Sequence, residues 1–140
     1  AASGARFINR QPGSGTRLCF DQLLATARIR SARINGYPVE EFTHAAVAAT
    51  IASGMADAGF GIEAAARQHG LDFVPIASER YYLAARAATL ARPDAQALLA
   101  ALKDPAFRRD VASLIGYDAA SAGTTVTVRE ALRPSGGESG

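Results

Sequence analysis

Between Asn9 and Arg17 the chain reads Asn-Arg-Gln-Pro-Gly-Ser-Gly-Thr-Arg, a stretch whose residue types and spacing suit the holding of an anion. A largely apolar segment, Ala5 to Ile8, runs into it and a helical pattern, Leu18 to Ile29, runs out. The glycines and hydroxyls therefore fall on a strand-to-helix turn. The first N–H groups of a helix have no intrahelical acceptor and carry the positive end of the macrodipole, so main chain and the Ser14 and Thr16 hydroxyls can hold an oxyanion there. Gly13 and Gly15 allow the backbone close to a ligand, Pro12 stiffens the approach, and Arg10 and Arg17 bracket the turn with donors. The same residues also fit an ordinary turn followed by an N-cap threonine, with surface arginines on either side. No lysine follows the last glycine as a Walker loop requires, and the third glycine of the dinucleotide fingerprint is missing.

Other groups with chemical potential are few. Thr43 and His44 open a second helix, where they either line the same cleft with a hydroxyl, orphan N–H groups and an imidazole, or form a capped helix start with a surface histidine. Asp57, ahead of Gly59 and Gly61, reads as a structural hydrogen-bond acceptor for nearby backbone rather than a ligand contact. Glu63 suits the first turn of a helix, His69-Gly70 a helix end, and Tyr81-Tyr82 packing. Catalysis is disfavoured: Ser14, His44 and Asp57 are present, but no nucleophile elbow surrounds Ser14. The two histidines and one cysteine lack metal-ligand spacing, so neither a metal site nor a cofactor is expected. Cys19, between Leu18 and Phe20, is expected to be a buried thiol.

The elements that position these groups alternate. Phe20, Leu23, Leu24 and Ala27 give an amphipathic helix to about Arg30. Thr43 to Ser53 predicts a second helix stopped by Gly54, Met55 to Ile62 a short buried strand, and Glu63 to Gln68 a third helix ended by Gly70. Leu71 to Ile76, Arg80 to Arg86 and Thr124 to Val128 have strand composition. Pro93-Asp94 opens a helix and Asp104-Pro105 caps another closed by Gly116, both expected to cover a core. Strand and helix alternating at short intervals argue an α/β layer arrangement with a largely parallel sheet.

With 140 residues, 49% of them hydrophobic and 20% charged, the chain can build a core, and a net charge of +2 spread along it offers no footprint for nucleic acid. No apolar run approaches transmembrane length and no signal peptide is legible.

Four ordered stretches, Asn9 to Arg17, Glu41 to His44, Ala52 to Gly61 and Leu71 to Pro75, resemble the type II periplasmic-binding-protein-like domain. The likeness is to the group related to molybdate and tungstate binding proteins, and it covers about Arg6 to Tyr117. That group also occurs fused behind helix-turn-helix modules or beside molybdopterin-synthesis modules, and it is similar to LysR-type effector domains. The resemblance implies an α/β fold in which this chain supplies a three-layer α/β/α second lobe plus a partial first lobe. The expected divisions are an anion-binding lobe over 5–78, a returning segment with its helices over 79–133, and a disordered tail over 134–140. It further implies a non-enzymatic ligand-binding domain for a small oxyanion, molybdate or tungstate ahead of sulfate or phosphate, with a small organic ligand as the rival.

In the tungstate-binding relatives an arginine five positions ahead of the Gly-Thr pair reaches the anion, which corresponds here to Arg10 and Gly15. The ligand-binding set on this reading is Arg10, Ser14, Gly15, Thr16, Arg17, Thr43 and His44. The turn departs from those relatives at Pro12 and Gly13, where they carry acidic residues, which leaves the identity of the anion open. The setting implied is the cytoplasmic sensor part of a transcriptional regulator, the alternatives being a periplasmic transport receptor or a cofactor-synthesis fusion. The expected partners are the anion, a first-lobe or DNA-binding segment in a longer protein, and a second copy of the chain in a homodimer, with no nucleic acid contact or membrane span in this segment.

Overall fold

The computed structural model describes residues 4–132; the tail expected over 134–140 lies outside the described residues. The chain divides into two units between Glu79 and Arg80.

The first unit is a mixed α/β layer. Strand β1 (Phe7–Arg10) leads into helix α1 (Gly15–Thr26), β2 (Glu40–Glu41) into α2 (His44–Ala52), and β3 (Ala58–Gly59) into α3 (Glu63–Gln68). Among the described residues the sheet has the order β2-β1-β3 with every pairing parallel, Asn9 opposite Glu40 and Ile8 opposite Gly59. Parallel neighbours need crossovers, and α1 and α2 supply them.

Side chains of β1 leave on alternate faces. Phe7 stacks on Phe20 of α1 with centroids 4.6 Å apart, and Phe60 adds to that layer at 5.5 Å from Phe20. Ile8 leaves on the other face, where it forms a core with Val47 and Ala56, and Ile51 packs against it. Arg10 shares the face of Ile8 and is therefore carried toward α2. Gly59 is required where β3 closes on that core, since a β-carbon there would sit 2.7 Å from Val47 Cγ1 and 2.9 Å from Ile8 Cγ2.

Gly36 is constrained twice over, by φ +91° and because a β-carbon would overlap the Phe7 carbonyl oxygen. Gly36→Ala is expected to destabilise the chain by about 2–3 kcal/mol, from backbone strain and from forcing β1 away from the turn. A urea midpoint equal to that of the parent chain would contradict this.

Several boundaries differ from the sequence expectation, each for a local reason. Helix α1 ends at Thr26 rather than near Arg30, because Arg28 takes φ +54° and the N–H groups of Arg28 and Ile29 bond back to Ala25 and Leu24 in a Schellman closure. The strand expected over Met55 to Ile62 is reduced to β3; Met55 is 67% exposed, while Ala56 is buried. Leu71 to Ile76 and Arg80 to Arg86 are not strands. Val74 and Ile76 stay exposed and Pro75 lacks an N–H, so the side-chain preference there finds no pleated surface to fit. Cys19 is half-buried rather than buried.

The second unit contains α4 (Ala87–Leu90), α5 (Pro93–Lys103), α6 (Pro105–Ala112) and α7 (Val128–Ala131). Asp104 ends α5 and caps α6, its carboxylate accepting from Ala106 N at 2.6 Å. Thr124 to Val128 is not a strand because Thr127 and Glu130 close a capping box that starts α7. Helices α5 and α6 do not cover a core as expected: neither has a buried residue, Leu98 of α5 is more than half exposed, and α6 ends at Ala112, short of the equally exposed Leu114 and Ile115 that were expected to belong to it. Among the described residues no helix is long and apolar enough to cross a membrane.

Candidate functional site

Because β1, β2 and β3 are parallel and each feeds a helix, the starts of α1, α2 and α3 gather at the carboxyl edge of the sheet, the place where open α/β sheets take ligands. The turn from Gln11 to Ser14 makes the first of these starts. Gly13 takes φ +85°, and Ser14 rather than Thr16 is the N-cap, its Oγ accepting from Arg17 N at 3.2 Å. Gly15 and Thr16, the first two helical residues, have N–H groups with no acceptor inside the helix. Thr43 caps α2 in the same way, its Oγ1 accepting from Ala46 N at 3.0 Å, as its position predicts.

The arginines that bracket the turn have separate roles. Arg10 is 8% exposed. Its Nε donates to Gln11 Oε1 at 3.1 Å and its Nη2 to the Phe42 carbonyl at 3.1 Å, which brings the guanidinium to the start of α2. Its Nη1 is buried without a hydrogen-bond partner. A buried guanidinium N–H left unpaired costs free energy that a ligand oxygen would recover.

Arg17, 9% exposed, is taken up by the protein itself. Its guanidinium lies over the Tyr37 ring at 4.2 Å, Nη1 donates to the Arg10 carbonyl at 3.0 Å and to Glu40 at 3.1 Å, and Nε donates to Asp21 at 3.2 Å. The Tyr37 hydroxyl completes the cluster with a 2.7 Å bond to Asp21. Arg17 thus ties the end of β1 to β2 and α1 and holds the turn in place.

His44, the first residue of α2, has a buried Nδ1 without a partner. Burial, and then the positive charge of Arg10, push its pKa below the ordinary 6.5, while Glu79 opposes them. The imidazole is therefore neutral near pH 7. As pH falls through 6.5 the unfolded chain takes up a proton that the folded one resists, so His44 withdraws stability from that point until its own lower pKa is passed. The urea midpoint is expected to fall on acidification through this window by more in the parent chain than in His44→Gln. Identical pH profiles for the two would contradict it.

Glu79 is a member of the site that sequence reasoning missed. A β-carbon on Gly15 would lie 3.7 Å from its Oε1, so the carboxylate of this exposed residue lies near the start of α1, and its charge acts on the His44 imidazole at α2. Nothing local in the sequence signals this, because Glu79 arrives along an irregular segment. Gly61, ahead of α3, approaches the same imidazole: a β-carbon there would be 3.7 Å from His44 Nδ1.

The structure therefore brings Arg10, Thr43 and His44 together at α2 and leaves Ser14, Gly15 and Thr16 heading α1, with Glu79 near both. Ser14, His44 and Asp57 do not form a hydrolytic triad. Asp57 has a structural role, but its partner is Arg6, 51 residues away, rather than the neighbouring turn backbone: the Arg6 guanidinium at 2.6 and 3.1 Å and the Arg6 N–H at 2.8 Å hold its carboxyl pKa at about 2. A shallow opening of about 210 Å³ lined by Phe7, Phe20, Ile34 and Arg33 includes the amino end of β1, and none of the candidate ligand-binding residues lines it.

A family model described as the PBP superfamily domain matches residues 1–103. Uncharacterized protein YvgK of Bacillus subtilis (strain 168) is 40% identical over 76 residues, 54% of this chain and 25% of that protein, so the chain spans about a quarter of its length. A protein of Clostridium pasteurianum, described as an uncharacterized protein in the ferredoxin 2Fe-2S gene 5' region, is 36% identical over 95 residues, 67% of this chain and 84% of that protein. No solved structure matches the chain.

Proposed function

This chain belongs to the PBP superfamily, whose fold is periplasmic-binding-protein-like, and from that premise we propose that it is a non-catalytic substrate-binding domain for a small tetrahedral oxyanion. The observation that carries the reading is the buried, unpartnered Nη1 of Arg10 beside the unpartnered Nδ1 of His44 at the start of α2. A guanidinium offers charge-assisted hydrogen bonds, and the starts of α1 and α2 add oriented N–H groups of the same sign. Ser14, Gly15, Thr16 and Thr43 contribute these helix starts, while Arg17 keeps the turn in register. Molybdate or tungstate is the occupant implied by the family resemblance, with sulfate and phosphate as competitors.

Two contacts of about 1.5–3 kcal/mol each correspond to dissociation constants from millimolar to tens of micromolar. Calorimetric titration of the chain with molybdate, tungstate, sulfate and phosphate tests the proposal. Saturable heat from at least one of them is expected, and none from any would overturn it. In this reading the domain serves as the sensing part of a transcriptional regulator, with a transport receptor or a molybdopterin-biosynthesis fusion as the alternative settings; YvgK, about four times as long as the matched region, is consistent with a module inside a larger protein.

A further inference from the structure

The two arginines of the turn are held by chemically different partners. Arg17 is neutralised, because its guanidinium pairs with the carboxylates of Asp21 and Glu40. Arg10 is held by neutral acceptors, the Gln11 side-chain oxygen on Nε and the Phe42 carbonyl on Nη2, each at 3.1 Å. Among the described residues no ion pair includes Arg10. A carboxylate is close at hand, since Glu41 of β2 stands in register with Arg10, yet its Oε1 accepts from Thr50 Oγ1 at 3.4 Å instead. The guanidinium of Arg10, in a side chain withdrawn from water, therefore has no carboxylate partner, and its Nη1 has no partner at all.

Gln11 is placed to keep it so. Its own N–H donates to the Glu41 carbonyl and its carbonyl accepts from the Ser14 N–H, both at 3.3 Å, so the side chain departs from a fixed point between β1 and the turn. Only the oxygen of an amide can accept from the Nε–H, which sets the orientation of both groups. With Nε and Nη2 engaged, the planar guanidinium is fixed at two points, and Nη1 is the nitrogen presented to an incoming oxygen. A side chain ordered before binding loses less freedom when the ligand arrives. A glutamate at this position would hold the same Nε–H but bring a charge that cancels the one an oxyanion is attracted to. A leucine would leave the arginine free to move.

We infer that Gln11 is a positioning residue of this site: it fixes the Arg10 guanidinium through a neutral acceptor, and so orients the cation without neutralising it. The inference rests on the anion-binding reading of Arg10 and adds that the neutrality of position 11 governs how strongly any oxyanion is held.

Calorimetric titration of the parent chain, Gln11→Glu and Gln11→Leu with molybdate, sulfate and inorganic phosphate, alongside their urea midpoints, separates the hold from the charge. Stability is expected to follow the hold, with Gln11→Glu at or above the parent and Gln11→Leu below it. Affinity is expected to follow another order. Gln11→Leu should bind about three- to tenfold more weakly than the parent, the effect of having to order one long side chain. Gln11→Glu should bind at least about 30-fold more weakly, the scale of a charge-assisted bond lost. A residue that merely held the structure together would give both quantities the same order. The Arg10 Nε–H signal in NMR reads the hold itself: it is expected to resist solvent exchange in the parent and in Gln11→Glu, and to lose that protection in Gln11→Leu. Gln11→Glu binding as tightly as the parent, or more tightly than Gln11→Leu, would overturn the inference, as would an equally protected Nε–H in Gln11→Leu. In those cases the parent still binds and the oxyanion reading stands. Binding of none of the three anions by the parent would overturn that reading, and this inference with it.

Discussion

Arg10→Met is expected to lower the affinity for any oxyanion by about 10- to 100-fold, the equivalent of one or two charge-assisted hydrogen bonds lost from a shielded site. Methionine matches the length of the side chain and fills its apolar path without supplying a donor. The cost to folding is expected to be smaller than the cost to binding: the variant loses the bonds to Phe42 and Gln11 but also removes the unpaired Nη1. Arg10→Lys keeps the charge and loses the planar fork, so it should fall between the two. Unchanged affinity in a folded Arg10→Met would place the anion elsewhere.

Arg17→Met has the opposite profile, a large effect on stability and a secondary one on binding. The substitution strands the Arg10 carbonyl, removes the cation from the Tyr37 ring and leaves Asp21 and Glu40 without their shared partner. Breaking a buried pair from one side costs about 3–5 kcal/mol, and because Asp21 and Glu40 remain partly exposed the expected loss is about 3–4 kcal/mol. Urea unfolding followed by circular dichroism reads it directly. A loss below about 1 kcal/mol would class the cluster with exposed ion pairs, whose contribution is of that size.

These contrasting arginines show what was legible in the sequence and what was not. The strand, turn and helix around Ser14, the threonine cap of α2, the third helix with its Gly70 stop, the proline-led start of α5 and the Asp104-capped start of α6 all rest on local rules of hydrogen bonding and backbone freedom, and they stand where those rules put them. The parallel sheet followed from alternation. The strands expected from Leu71 onward did not form, because strand propensity expresses a fit to neighbouring strands that no local window contains. At the site, the sequence placed two arginines beside a turn but could not say which would be spent on structure. That depends on Tyr37 and Glu40 arriving from another part of the chain, with only the Arg17–Asp21 spacing giving a local hint. Glu79 was invisible for the same reason.

The most direct measurement of the central claim, that an anion is held at the carboxyl edge of the sheet by Arg10 and the starts of α1 and α2, is a titration of isotopically labelled chain with inorganic phosphate followed by amide and arginine side-chain NMR. The account predicts that the largest saturable shifts fall on the Arg10 guanidinium and on the amides of Gly15, Thr16, His44 and Ala45, with Arg17 little changed. Shifts that gather instead around Phe7, Phe20 and Arg33, or that never saturate anywhere, would contradict it.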